Sequence, residues 1–135
     1  MVKAFLGKTY QLDKNENMEA FLNAYGVDAA MKEAAAKLKP TTTLTESGGV
    51  YTQVTAAGDR KVTTSFKLGE EFDETTLDGK KAKTTVTQKS DDTLLQVQKF
   101  PDGKVVNMEK KFTADALTVT ITLGNITAKR IYKAI

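Results

Sequence analysis

Two residues near the C-terminus carry the strongest chemical signal in the chain. Successive side chains of an extended strand alternate between faces, so in the run from Ile126 to Ala134 the lysines Lys129 and Lys133 go to water with Thr127 and Ile131. The opposite face holds Ile126, Ala128, Arg130, Tyr132 and Ala134. Arg130 and Tyr132 therefore point inward together. A guanidinium cannot shed its charge on burial, and an unpaired buried charge is costly, so Arg130 needs an anion or plentiful water. Its planar fork matches a carboxylate, and the Tyr132 phenol donates one more bond. A second cation, Lys110, falls on the inward face of the run from Lys104 to Phe112, with Val106, Met108 and Phe112. Two readings of Arg130 stay open on these grounds: a ligand carboxylate, or a fixed pair with a protein carboxylate such as Glu71 or Glu74. Lys110 equally admits a side chain that snorkels to water at a barrel end.

Composition narrows the chemistry further. The 135 residues are 40% hydrophobic and 27% charged with a net charge of +3, which suits a single domain over 1–135. Of the 20 basic residues only Arg60 and Arg130 are arginines. There is no His and no Cys, which removes zinc sites, thiol nucleophiles, disulfide scaffolds and histidine triads. No metal and no cofactor are expected. An enzyme would have to use Lys, Asp, Glu or Tyr, with Lys110 as the one Schiff-base candidate; the reading taken is a protein without catalysis. The small, mixed charge gives no case for nucleic acid. No apolar run is long enough for a signal-peptide core or a membrane span, and the expectation is a cytoplasmic protein.

The elements that must position these residues are mostly strands. Met18, Phe21, Leu22 and Tyr25 recur at helical spacing and mark a first helix, capped by Asn15 or Asn17 and ended by Gly26. Asp28 caps a second, from Ala29 to Leu38, stopped by Pro40. This tight helix-turn-helix lacks base-reading side chains and is read as structural. From Thr41 onward, turn signals recur at the spacing of an all-β sandwich or barrel. With the segment around Tyr10 they define ten short strands, joined as an antiparallel meander that closes into a barrel or clam. Within it Val62, Thr64, Phe66 and Leu68 share one face, and Leu117, Val119, Ile121 and Leu123 oppose three threonines. A ten-strand barrel is wider than side chains alone fill, so it leaves a cavity.

Several runs carry a family likeness. They are Phe5-Leu6-Gly7 with Tyr10-Gln11-Leu12 and Asn17-Met18-Glu19, then Lys39-Pro40-Thr41-Thr42, then the run from Ser65 to Thr76. Val97-Gln98-Lys99-Phe100 and Arg130-Ile131-Tyr132 complete the set. Over essentially its whole length the chain resembles the intracellular lipid-binding protein family, specifically the fatty-acid-binding proteins. The resemblance implies an all-β fold: a ten-strand antiparallel up-and-down β-barrel, or β-clam, capped by the helix-turn-helix around a water-containing cavity. It implies reversible, noncovalent binding and intracellular transport of a long-chain fatty acid or another hydrophobic carboxylate such as a retinoid acid. The lysines near the second helix suggest transient docking on anionic membranes, and a monomer is expected. In the family an Arg and a Tyr on the last strand hold the carboxylate, matching Arg130 and Tyr132, while Lys110 stands where the family has a second Arg. The cavity positions carried over are Met18, Phe21, Val27, Met31, Pro40 and Thr42 at the cap and first turn of the barrel. Thr55, Ala57, Leu77, Asp78, Val119 and Ile121 complete them, with an entry portal between the second helix and the turns near Gly58 and Leu77. Three positions depart from the pattern. Lys110 loses the planar fork, Asp59 stands where a bulky Phe is usual, and Met18 replaces an aromatic residue.

Overall fold

Thr- and Val-rich runs suit a pleated, half-buried surface, and in the computed structural model, which describes residues 5–26, 30, 33, 37, 39–76 and 79–135, they form ten strands. These are β1 (Thr9–Glu16), β2 (Thr41–Ser47), β3 (Val50–Ala57), β4 (Arg60–Phe66), β5 (Phe72–Thr75), β6 (Lys81–Ser90), β7 (Thr93–Lys99), β8 (Val105–Phe112), β9 (Ala116–Leu123) and β10 (Ile126–Ala134). A helix, α1 (Met18–Tyr25), lies between β1 and β2. The strands form a single sheet in the order β4-β3-β2-β1-β10-β9-β8-β7-β6-β5, every hydrogen-bonded pair antiparallel. Pairing of β1 with β10, Tyr10 opposite Ala134 and Leu12 opposite Tyr132, joins the two ends of the chain and makes the sheet continuous.

The meander is interrupted at one place. β4 and β5 are consecutive in the chain but sit at opposite edges of the sheet without a backbone ladder. Aromatic rings close this seam instead: Tyr51 stacks on Phe66 at 5.7 Å between centroids, and Phe66 stacks on Phe72 at 5.4 Å. β5 is only four residues long and pairs with β6 alone, so side-chain packing is what spans the gap to β4. The Gly69 N–H donates to the Val86 carbonyl at 2.8 Å, which fixes the connecting turn to β6.

The helix is held at both ends, though not as its caps suggest in the sequence. Asn15 belongs to β1, and Asn17 occupies the cap position with φ 58° but makes no side-chain cap bond. Its amide donates to the Thr127 carbonyl at 3.0 Å, tying the start of α1 to β10. Gly26 ends the helix as expected, with φ 92° and its N–H on the Leu22 carbonyl. Phe21 and Tyr25 are the buried face, stacked on one another at 5.4 Å, and Tyr25 meets Phe100 edge-on at 5.2 Å. The Lys80 ammonium donates to the Tyr25 carbonyl at 2.9 Å and lies 4.1 Å from the centre of the Tyr25 ring. The second helix expected over 29–38 falls largely outside the described residues; Ala30, Glu33 and Lys37 are helical, with Lys37 on Glu33 at 2.7 Å on the surface.

The core lines the inner faces of the strands. On β9 the residues Leu117, Val119 and Ile121 are buried while the threonines between them are half-buried. Tyr10 is fully buried, edge-on to Phe112 at 5.9 Å, and its hydroxyl donates to the Thr113 carbonyl at 2.9 Å. Because the Gly26 cap needs a left-handed backbone while a Cβ there meets nothing closer than 3.9 Å, Gly26→Ala is expected to cost about 1 kcal/mol through backbone strain alone. Chemical denaturation of the two proteins measures that difference, and an unchanged midpoint would remove the cap from the account.

Candidate ligand-binding site

The register of the last three strands sets two cations in one row. Arg130 lies opposite Val119, and Val119 lies opposite Lys110. Residues directly opposite one another across a ladder share a face, so both cations face inward, two inter-strand spacings or roughly 10 Å apart at the backbone. Between the strands is a cavity of about 150 Å³. Arg130, Tyr132, Lys110, Thr42, Thr55, Val119 and Ile121, all candidates from the sequence, line it. Tyr10, Leu44, Gln53, Met108, Phe112 and Leu117 line it as well; Met108, Phe112 and Leu117 lie on strand faces shared with the candidates, whereas Tyr10, Leu44 and Gln53 are not among them. Four further candidates are placed elsewhere in the barrel. Phe21 and the half-buried Met18 pack into the core, Pro40 is buried with its carbonyl on the Leu12 N–H at 2.9 Å, and Ala57 is buried at the end of β3. None of these four borders this cavity. Val27, Met31, Leu77 and Asp78 lie outside the described residues, and so does most of the expected portal, of which the turn at Gly58 is described.

Lys110 does not snorkel to a barrel end. It is 8% exposed, and its Nζ donates to the Gln96 side-chain oxygen at 2.5 Å and to that of Gln53 at 3.1 Å. Gln96 is on the neighbouring β7, but Gln53 is on β3, with β2, β1, β10 and β9 between β3 and β8 in the sheet. The second bond therefore crosses the interior. Gln96 is oriented by a partner at each end of its amide: its oxygen accepts from Lys110 and its nitrogen donates to Glu74 at 3.2 Å. Glu74 also accepts from Thr84 at 2.8 Å and from Gln98 at 2.9 Å. One carboxylate oxygen thus takes three neutral donors, and a single amide links that carboxylate to the buried amine. Strand parity places Gln53 with Tyr51, Thr55 and Ala57, so a signal for it existed. A glutamine in mid-strand reads as solvent-facing until its long-range partner is known.

Arg130 has a different environment. It is half-buried, its Nε–H donates to the Asn15 side chain at 3.3 Å, and its guanidinium carbon lies 5.8 Å from the Tyr132 ring centre. Among the described residues no carboxylate forms an ion pair with it. Glu74, one of its candidate protein partners, is committed to Thr84, Gln96 and Gln98 instead, and Glu71 is exposed. The guanidinium has five N–H donors, so its terminal nitrogens stay available for an anion on the cavity side.

Burial pushes the Lys110 ammonium down to about 8 from the ordinary 10.5, and the Glu74 charge only partly opposes this. The other titratable groups around the same interior are Arg130 on β10 and the phenols of Tyr10 and Tyr132. The folded protein therefore binds a proton at Lys110 less readily than the unfolded chain, and between pH 8 and 10.5 the unfolded chain holds the extra proton. Stability from this group rises with pH across that window and is lowest below pH 8, by roughly 3 kcal/mol relative to an unperturbed lysine. Denaturation of wild type and Lys110→Met across that range isolates the effect, since shared titrations cancel. The stability of wild type relative to the variant is expected to increase from pH 8 to 10.5; a constant difference would contradict the buried amine.

Comparison with known proteins places this geometry in a family. The model of the lipocalin / cytosolic fatty-acid binding protein family matches residues 6–135. The chain is 39% identical over 128 residues to a fatty acid-binding protein of Tyrophagus putrescentiae, covering 95% of this chain and 96% of that one. It is 41% identical over 135 residues to the muscle fatty acid-binding protein of Schistocerca gregaria, covering 99% of each. Among solved structures, the Schistosoma mansoni fatty acid binding protein in complex with arachidonic acid superposes with a TM-score of 0.93 at 32% identity, covering 99% and 98% of the two chains. A sequence that builds this ten-strand barrel and matches that model from Leu6 to its last residue is a member of the lipocalin / cytosolic fatty-acid binding protein family.

Proposed function

We propose that this protein binds long-chain fatty acids reversibly and without covalent chemistry, with the carboxylate at Arg130, Tyr132 and Lys110 and the tail along the apolar walls. The observation that carries this reading is the pair of inward cations, Arg130 and Lys110, that border one cavity with no ion-paired carboxylate among the described residues. The relatives named for fatty acids, and the arachidonic acid in the Schistosoma mansoni structure, support the same ligand class. Val119, Ile121, Leu117, Met108 and Phe112 supply the apolar lining. Burial of the chain contributes on the order of 0.8 kcal/mol per CH₂ as an upper guide. The head-group contacts contribute orientation and selectivity more than net energy, because both charges lose water.

At Lys110 the amine already spends two donors on Gln96 and Gln53. An ammonium has three, so one N–H remains for a ligand oxygen. Arg130 offers its terminal nitrogens from the other side of Val119. A carboxylate between them receives charge-assisted bonds from both, a geometry that an alcohol head group satisfies poorly. The reading extends to a monomeric cytoplasmic carrier that docks on anionic membranes to exchange its ligand. For that step the rate of transfer to anionic vesicles is expected to fall steeply with salt; a salt-independent rate would contradict docking by charge.

The head-group assignment is tested by competitive displacement of a fluorescent fatty acid from wild type and Arg130→Gln, using oleic acid and oleyl alcohol as competitors. The variant is expected to lose roughly tenfold to a hundredfold in affinity for the acid, the usual worth of a charged hydrogen bond. Its affinity for the alcohol should stay nearly unchanged. Equal acid affinity in both proteins would overturn the assignment.

A further inference from the structure

Lys110 offers more than a positive charge. Its nitrogen is tetrahedral, with one position taken by its own carbon and two by hydrogens directed to Gln96 and Gln53. Among the described residues no hydrogen bond occupies the fourth position, and the residue borders the cavity. In the ammonium that position is the third N–H. In the neutral amine it is the lone pair, because the two glutamine oxygens are acceptors only and hold the two hydrogens. The site is therefore arranged to present an unprotonated nitrogen to whatever lies in the cavity. Desolvation favours that form: Lys110 is held near 8, while an exposed lysine stays near 10.5. No cysteine or histidine in the chain competes for an electrophile.

We propose that Lys110 captures long-chain aliphatic aldehydes inside the barrel as a reversible imine. The inference rests on the cavity reading above, since the aldehyde must enter tail and all, but it asks for a bond that a carboxylate ligand never forms. The lone pair of Nζ attacks the aldehyde carbon, and the carbonyl electron pair moves to oxygen. A proton passes from nitrogen to that oxygen to give the carbinolamine, whose hydroxyl leaves with a second proton as water. A carbon–nitrogen double bond remains, and nothing is oxidised or reduced. When protonated, the imine keeps one N–H, for which the Gln96 oxygen at 2.5 Å is the nearer acceptor. The Glu74 carboxylate on the far end of the same amide favours the positive form. Aldehyde and fatty acid use the same fourth position on nitrogen, so each excludes the other.

The experiment incubates the protein with hexadecanal at pH 8, reduces with borohydride and locates the label by intact mass and peptide mapping. At that pH about half of Lys110 is unprotonated against well under about 1% of an exposed lysine. The expected result is one hexadecyl group per chain, enriched roughly tenfold at Lys110 over any other lysine, lost in Lys110→Arg and blocked by excess oleate. Labels spread over surface lysines, or a Lys110 label indifferent to oleate, would overturn the proposal without recourse to the variant. A parallel arm measures palmitate binding to the same preparation by displacement of a fluorescent fatty acid. Palmitate bound with no label at Lys110 rejects aldehyde capture alone, and failure of both rejects the cavity reading with it.

Discussion

A charged amine shut inside a barrel of apolar strands is the constraint around which the interior is arranged. Lys110 is buried at mid-strand on β8, and two of its hydrogens go to Gln96 beside it and Gln53 across the interior. The Gln96 nitrogen, itself buried, donates to Glu74, and this second bond fixes the amide with its oxygen toward the amine. Glu74 in turn is tolerable in a half-buried position because Thr84 and Gln98 also donate to it. The chain of dependence runs from β8 through β7 to β5 and across to β3. A neutral amide stands between the amine and the Glu74 carboxylate, so the two charges are linked through Gln96 without direct contact.

The architecture delivers this interior in two ways. Continuity of the sheet through β1 and β10 aligns Arg130, Val119 and Lys110 in one row, so the two cations are positioned by backbone register rather than by loops. Sites built on strands hold geometry better than sites on loops. The break between β4 and β5, closed by the rings of Tyr51, Phe66 and Phe72, leaves one line along which the barrel is joined by side chains alone. Helix α1 is fastened to β10 by Asn17 and to the β5–β6 connection by Lys80, so its two ends report to different parts of the sheet.

Strand alternation made much of this legible before any coordinates. It placed Arg130, Tyr132, Lys110, Val119 and Ile121 inward, because period-two patterning survives in strands that are half-buried and whose outward residues are lysines and threonines. It failed where the decisive contact is non-local. Nothing adjacent to Gln53 announces an amine reaching it from β8, and nothing in the run around Asn17 announces that its amide leaves the helix for Thr127. The Glu74 question was open for the same reason: parity gives the face of a carboxylate but not which of several donors claims it. The β4–β5 break was hidden because a short turn between two strand-like runs looks the same whether or not the strands pair.

The proposed ligand carboxylate sits ionised between Arg130 and Lys110, two cations that line the cavity. Carbon-13 NMR of oleate labelled at the carboxyl, bound to the protein and titrated with acid, tests this most directly. A carboxylate held by Arg130 and Lys110 stays ionised well below the ordinary range near about 4 to 5, because opposite charges at short range favour the charged form. The expected result is a bound carboxyl resonance that does not move until the pH falls far below that range. A bound resonance that titrates in the ordinary carboxylate range would place the head group in water and contradict the account.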